Sequence, residues 1–282
     1  MKISVIIPTL NAGRYLENLL SRLYDQDARP SEIVIIDSSS QDNTIDISRN
    51  FGVKSIIISN YNFNHGKTRN MAAIEAEGDV LVFMTQDALP VDNKLLGNLT
   101  EPLQAADIAA TYGRQIPKSD ASPLEVFLRH FNYPDSGMVK GLDDIQHYGI
   151  KTFFFSNVCS AIKKDLFLKS GMFPDVRANE DMIMAAKLIL SGYKIAYVPD
   201  AVVIHSHNYS PFQQFRRYYN IGSSLKNNAW ILKYARAEDE GIRFIKKQVR
   251  FLVVERKYLW IPYIFLDYVA KYSGYRIGLI AG

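Results

Sequence analysis

The sequence predicts an α/β protein: a mixed, mainly parallel sheet with helices on both faces, followed by a C-terminal helical appendage. Four short apolar runs alternate with three stretches of helical spacing within residues 1–90. Each run ends in a polar cluster. Such alternation marks βαβ units, whose crossover helices cover a parallel sheet on both sides. A further observation sets off the appendage: residues 211–282 change in charge and carry aromatic residues at helical spacing.

The elements follow in order. ISVIIP (3–8) is a continuous apolar run closed by a proline, the pattern of a strand buried on both faces. Tyr15, Leu16, Leu19, Leu20 and Leu23 then give a helix over 14–26. EIVIID (32–37) is a second buried strand, and DNTIDISRNF (42–51) a helix with Asp42 or Asn43 at its cap. KSIIIS (54–59) is a third strand. TRNMAAIEAE (68–77) is a helix closed by Gly78, and Gly66 ahead of it permits a tight turn. DVLVFM (79–84) is the fourth strand and ends at TQDALP. Further on, RQIPKSDASP (114–123) reads as a loop and PLEVFLRHF (123–131) as a short helix. Residues 132–150 have no period and read as a mobile loop over the site. TFFFSNVCSAI (152–162) is a β-like run, and NEDMIMAAKLILSG (179–192) a helix with an acidic start. KIAYVPDAVVIHSH (194–207) is a strand pair around Pro199–Asp200.

The bulk numbers narrow the class. A chain of 282 residues, 48% hydrophobic, buries a sizeable core and is not a disordered polymer. The single cysteine, Cys159, excludes an internal disulfide and fits a reducing compartment, as a core thiol. MKISVIIPTL has no secretory signal character. YLWIPYIFL (258–266), the most apolar segment, is about half the length of a spanning helix. Residues 211–282 hold 13 Lys/Arg against 5 Asp/Glu, out of 33 and 29 in the whole chain. The tail is therefore cationic and the body mildly acidic. The boundary is drawn at 210, with 1–210 as one domain and 211–282 as the appendage.

In open sheets of this type, ligands bind beyond the carboxyl ends of the strands. The residues there are Pro8-Thr9-Leu10-Asn11, Asp37 to Ser40, Asn60 to Arg69 and Thr85-Gln86-Asp87. All converge at one rim. A cationic turn opening a helix can hold a phosphate. A lone carboxylate beside it would repel that phosphate unless a divalent cation lies between them.

VIIPTLN, IIDSSSQDNT, HGKTRN, the acidic motif at the end of the fourth strand, a later NED and HSH resemble glycosyltransferase family 2 over about residues 1–210. FNHGKTRN followed by FMTQDALP looks most like bacterial rhamnosyltransferases of cell-surface polysaccharide assembly. The resemblance implies a GT-A fold and an inverting, nucleotide-sugar-dependent transfer, with L-rhamnose from dTDP-rhamnose as the sugar. It implies that Pro8, Thr9, Leu10 and Asn11 cradle the nucleotide, that Asp37 contacts the base, and that Lys67, Arg69 and Gln86 lie on the donor. The family's Asp-x-Asp corresponds to Thr85-Gln86-Asp87; its first aspartate is missing here. Asp87 with His205 or His207 would hold magnesium or manganese. Asp181 would be the base that deprotonates the acceptor hydroxyl, with Glu180 and Asn157 on the acceptor side. No nucleophile motif is needed, because inversion proceeds without a covalent intermediate.

The tail invites three uses: packing against the catalytic part, a subunit contact that makes an oligomer, or docking on an anionic membrane. Phe244, Phe251, Tyr258 and Trp260 interleave with Lys246, Lys247, Arg250, Arg256 and Lys257, which suits membrane docking. That matches a saccharide acceptor on a polyprenyl diphosphate and places the protein in the cytoplasm, peripheral at the inner face of the cell membrane. No nucleic-acid module is present. A nicotinamide oxidoreductase would need G-x-G-x-x-G after the first strand, and PTLNAGRYLE has one glycine. The remaining alternative is a non-catalytic sugar-nucleotide-binding or scaffolding protein, which Thr85 in the acidic motif would suit.

Overall fold

A computed structural model describes residues 1–234 and 239–282. Residues 235–238, inside the C-terminal region set apart above, lie outside the described residues. The chain opens with β1 (Ile3–Thr9), α1 (Gly13–Tyr24), β2 (Glu32–Asp37), α2 (Thr44–Asn50), β3 (Lys54–Ile57), α3 (His65–Glu75) and β4 (Val80–Met84). It continues with β5 (Leu89–Pro90), α4 (Leu95–Thr100), β6 (Ile108–Ile116), α5 (Pro123–Asn132), β7 (Met138–Lys140) and α6 (Ile145–Tyr148). Then come β8 (Cys159–Lys163), α7 (Lys164–Lys169), α8 (Glu180–Leu190) and β9 (Lys194–Ile204). Helices α9 (Pro211–Lys226), α10 (Asp239–Val254) and α11 (Ile261–Ala281) follow the last strand.

One sheet runs β3-β2-β1-β4-β8-β6-β9-β5, with β7 also on β9. The β3-β2-β1-β4 half is parallel, as is β6 with β9. Strand β8 enters antiparallel between β4 and β6, which makes the sheet mixed. Alternation along β1 divides the core. Val5 and Ile7 pack with Leu16, Leu19, Leu20 and Leu23 of α1, while Ile6 packs with Ala72, Ala73, Phe83 and Ile183 on the opposite face. Each fully buried leucine of α1 contributes roughly 1.5–3 kcal/mol by leaving water.

Four local expectations change. Residues 194–204 form a single strand, both halves pairing with β6 across a register shift opposite Val198–Val202. Pro199 has no N–H for the ladder, so its neighbourhood bulges and the chain does not turn back. Residues 132–150 are not an irregular loop: β7 pairs with β9 there, and α6 follows. In 152–162 only the part from Cys159 is strand; Phe153 and Phe155 fill the core instead. Strand β6 extends to Ile116, into the stretch read as loop.

Helix α3 starts at His65, because the Asn64 side chain accepts the Gly66 and Lys67 N–H groups as its cap. HGK is thus the first helical turn. Gly66 is required by close approach and not by a turn: a Cβ there would collide with the Pro174 carbonyl. In the tail, Gly274 and Gly278 of α11 face the backbone of Phe215 and Tyr219 in α9, and Gly222 faces Tyr275. Any larger residue would drive the two helices apart. Phe244 and Phe251 of α10 stack on Phe127 of α5 at 5.2 and 5.5 Å between ring centroids. These two rings face inward, so the expectation that they face a membrane is overturned.

Candidate active site

The ends of β1, β2 and β4 are stitched into a rigid rim. Gln86 both accepts from the Leu10 N–H (2.8 Å) and donates to the Leu10 carbonyl (3.2 Å). The Asn11 side chain accepts from the Gln41 N–H, and its own N–H donates to Ser40. A cleft of about 180 Å3 lies between Pro8–Leu10, Phe63, His65, Arg69 and Thr85–Gln86. Six buried side-chain polar atoms lack a partner among the described residues. Three of them belong to this rim: Ser38 Oγ, Arg69 Nε and Thr85 Oγ1. A buried group left unpaired costs about 1–3 kcal/mol, so this concentration marks a place completed by a ligand.

The structure redistributes several expected donor contacts. Asp37 is fully buried, and its carboxylate accepts from Thr9 Oγ1, Ser40 Oγ and the Ser40 N–H. It holds the loop and has no face toward a base. Its neighbour Ser38 is equally buried, with an unpartnered hydroxyl. Lys67 leaves the cleft altogether and pairs with Asp175. Because the Asn64 side chain caps α3, the Gly66 and Lys67 N–H groups at the helix start are already engaged. Arg69 does reach the cleft, buried, donating to the His65 carbonyl (3.0 Å) and to Glu180 (3.3 Å).

The second feature is a convergence of Asp87, His205 and His207. Their ligand atoms lie within 4.8 Å of one another. His205 Nε2 is 3.4 Å from Asp87 Oδ1, and His207 Nε2 is 3.5 Å from Asp87 Oδ2. The two histidines, two apart beyond β9, meet at right angles with centroids 4.7 Å apart. Lys118 Nζ donates to Asp87 Oδ2 at 3.1 Å. Burial opposes the Asp87 charge, but the hydrogen bond and charge of His205, then His207 and Lys118, outweigh it and hold the carboxyl well below its usual range. Burial lowers the His205 imidazole, and burial with His205 beside it lowers His207 to about 4. At neutral pH both rings are therefore neutral, and Lys118 is the formal counter-charge. One carboxylate with two neutral imidazoles is a donor set for a divalent cation.

The third feature is Asp181, in the first turn of α8. Its Oδ1 accepts from the Met182 N–H (2.8 Å) and its Oδ2 from the Asn157 N–H (3.2 Å). Burial, then the Glu180 charge beside it, pushes the carboxyl up to about 7. Asn157 and Glu180 are buried and bond to each other, Nδ2 to Oε1 at 3.2 Å. Glu180 also receives Arg69, and Asn157 receives Ser160. Both are held inside this network and do not line a path for an acceptor. Asp87 and Asp181 flank one seam, where β4 meets β8 and the Thr85 N–H donates to Val158.

Gln115 of β6 links the two. Its Oε1 accepts from His205 Nδ1 (3.0 Å) and from Arg129, and its Nε2 donates to Ser156 (2.9 Å) and Tyr133. Donation of His205 Nδ1–H to Gln115 would free the Nε2 lone pair for a cation, the arrangement a metal ligand needs. Sequence reasoning missed Gln115, Lys118 and the Arg129–Glu125 pair behind it. Gln115 and Lys118 carry no motif, and the β6–β9 pairing brings them to the histidines, while Glu125 and Arg129 lie on α5.

A family model described as glycosyl transferase family 2 matches residues 4–171. The O-antigen chain rhamnosyltransferase RfbN of Salmonella typhimurium is 42% identical, covering 99% of this chain and 90% of its own. The O-antigen chain rhamnosyltransferase WbaN of Salmonella anatum is 41% identical, covering 98% and 88%. Among solved structures, the mannosyltransferase PcManGT from Pyrobaculum calidifontis, in complex with GDP-Man and Mn2+, superposes with a TM-score of 0.63. It is 20% identical and covers 100% of this chain and 76% of its own. TarS of S. aureus in complex with UDP gives a TM-score of 0.58 at 18% identity, covering 99% and 90%.

Proposed function

The chain belongs to glycosyltransferase family 2, and from that premise we propose an inverting rhamnosyltransferase acting in cell-surface polysaccharide synthesis. The donor is dTDP-L-rhamnose, and the acceptor is a saccharide carried on a polyprenyl diphosphate at the inner face of the cell membrane. One observation supports the chemistry above others. Two aspartates flank the β4–β8 seam, one held ionised among cation ligands and one raised toward neutrality.

Asp181 accepts the proton of the attacking hydroxyl, a contribution of roughly 10²–10⁴-fold. The hydroxyl oxygen bonds to the anomeric carbon from the face opposite the diphosphate. The bond from that carbon to the phosphate oxygen breaks, and the electron pair leaves with the nucleoside diphosphate. Asp87, His205 and His207 would hold magnesium or manganese, which supplies positive charge for the departing diphosphate. Lys118 and Arg69 add fixed positive charge at the same rim. Ser38, Thr85 and the apolar walls of Leu10 and Phe63 receive the nucleoside.

The test is a donor panel, dTDP-rhamnose beside UDP-glucose and GDP-mannose, assayed with a polyprenyl-diphosphate saccharide. Product configuration is read by NMR. Rhamnose transfer with inversion is expected. Retention would overturn the mechanism, and donor binding without turnover would favour a non-catalytic nucleotide-sugar-binding protein.

A further inference from the structure

We infer that the outer face of α11, continuous with the α10–α11 turn, is the surface on which this protein lies on an anionic lipid leaflet. Helix α11 has three sides. One, through Gly274 and Gly278, is locked against α9. A second, through Ile264 and Tyr268, packs with Leu252 and Phe244 of α10. The third faces outward and is largely apolar: Phe265, Val269, Tyr272 and Ile280 recur at helical spacing and are 49–72% exposed, with Arg276 between the last two. The turn before it extends the surface with Val253, Val254, Tyr258 and Leu259, the last 94% exposed. A soluble surface scatters such residues singly; a continuous apolar face marks a partner.

Charge identifies that partner. Residues 243–282 hold eight Lys/Arg against two acidic residues, Glu255 and Asp267. Asp267 is buried against Lys271 at 2.6 Å, which leaves Glu255 as the exposed acid of that stretch. Arg256 and Lys257 are exposed beside the apolar face, and Arg276 within it. A second copy docked by the same face would bring this cationic surface against itself. An anionic leaflet neutralises it and takes up the apolar side chains. No described helix is long and apolar enough to cross a membrane, and two sides of α11 are already committed, so the helix lies in the interface plane. This differs from the sequence-level expectation, since Phe244 and Phe251 face the protein and the apolar contact moves to α11. The use of the surface rests on the lipid-linked acceptor proposed above; its geometry does not.

The experiment is flotation of the full chain with phosphatidylcholine vesicles, with and without phosphatidylglycerol, at low and high salt. Wild type should float with the anionic vesicles and keep a salt-resistant fraction. Arg256→Glu with Lys257→Glu should weaken low-salt partitioning roughly 30-fold or more. Leu259→Asp with Phe265→Asp should remove the salt-resistant fraction. Ile57→Asp, an exposed apolar site on β3, should change neither. Variants that float like wild type would overturn the assignment. So would a wild-type dimer, seen by light scattering, that the Leu259/Phe265 pair dissolves; the occupant would then be a second copy. Transfer to a water-soluble acceptor is measured in parallel. Both double variants should retain it, showing that the fold and site are intact. Absence of transfer in wild type with intact flotation would strike the proposed reaction and still support the surface.

Discussion

Asp87 and Asp181 sit at the same rim, separated by one strand seam, and their surroundings push them in opposite directions. Asp87 faces two imidazoles and a lysine and is held ionised. Asp181 lies in a less polar pocket beside another carboxylate and is raised to about 7. A carboxylate that must bind a cation needs the first environment. One that must take up a proton near neutral pH needs the second. Neighbours, not residue type, set the two apart.

The strongest way to break the comparison is to remove the proposed proton acceptor alone. Asp181→Asn keeps the shape and one oxygen, which serves one of the two N–H groups, Asn157 and Met182, that the carboxylate accepts from. Transfer should fall by roughly 10²-fold or more while dTDP affinity is unchanged. Near-normal turnover would end the assignment. Asp87→Ala acts on the other partner. Manganese binding, followed by electron paramagnetic resonance, should be lost together with the metal-dependent part of dTDP affinity. Metal-dependent affinity equal to wild type would remove Asp87 from the cation site.

Gln115→Leu tests how the two halves are joined. It removes the acceptor of His205 Nδ1–H and leaves Asp87, His205 and His207 in place. Loss of such an outer contact typically costs roughly 10–100-fold in metal affinity. Manganese affinity should fall by that order, with dTDP binding in the absence of metal unchanged. Unaltered manganese affinity would mean that Gln115 only fills space.

The comparison also shows what a sequence can carry. Asp87 was legible because it ends an apolar run, and chain order alone puts strand ends at one rim. Asp181 was legible through its motif and its place at a helix start. The histidine pair was legible by its period of two. The Asp37 surroundings were not legible: a carboxylate at a strand end suggests a ligand, and nothing in IIDSSSQ shows that Thr9 and Ser40 engage it. The partners of Lys67 and Glu180 were hidden for a related reason: a charge has a partner in space, and Asp175 and Arg69 lie over a hundred residues from them. Gln115 and Lys118 had no local signal, because the strand pairing that brings them in is long-range.

The smallest expected effect concerns stability, and it tests the Asp181 environment without any turnover. The folded pKa of this group is raised, so its protonated form is favoured in the folded protein. Its contribution to stability is therefore fully present below the unfolded carboxylate range, about pH 4, and is lost as pH rises through about 7. Above that pH the folded protein must hold a charge in a pocket that disfavours it. Asn carries no such charge. Asp181→Asn should melt at a higher temperature than wild type at pH 8, and the gap should close as pH falls toward 4. For a chain of this size each kcal/mol moves Tm by about 2–4 °C, so the shift is readable by calorimetry. A Tm gap that ignores pH, or that opens toward acid, would mean that Asp181 is not raised. The two aspartates would then differ only in position.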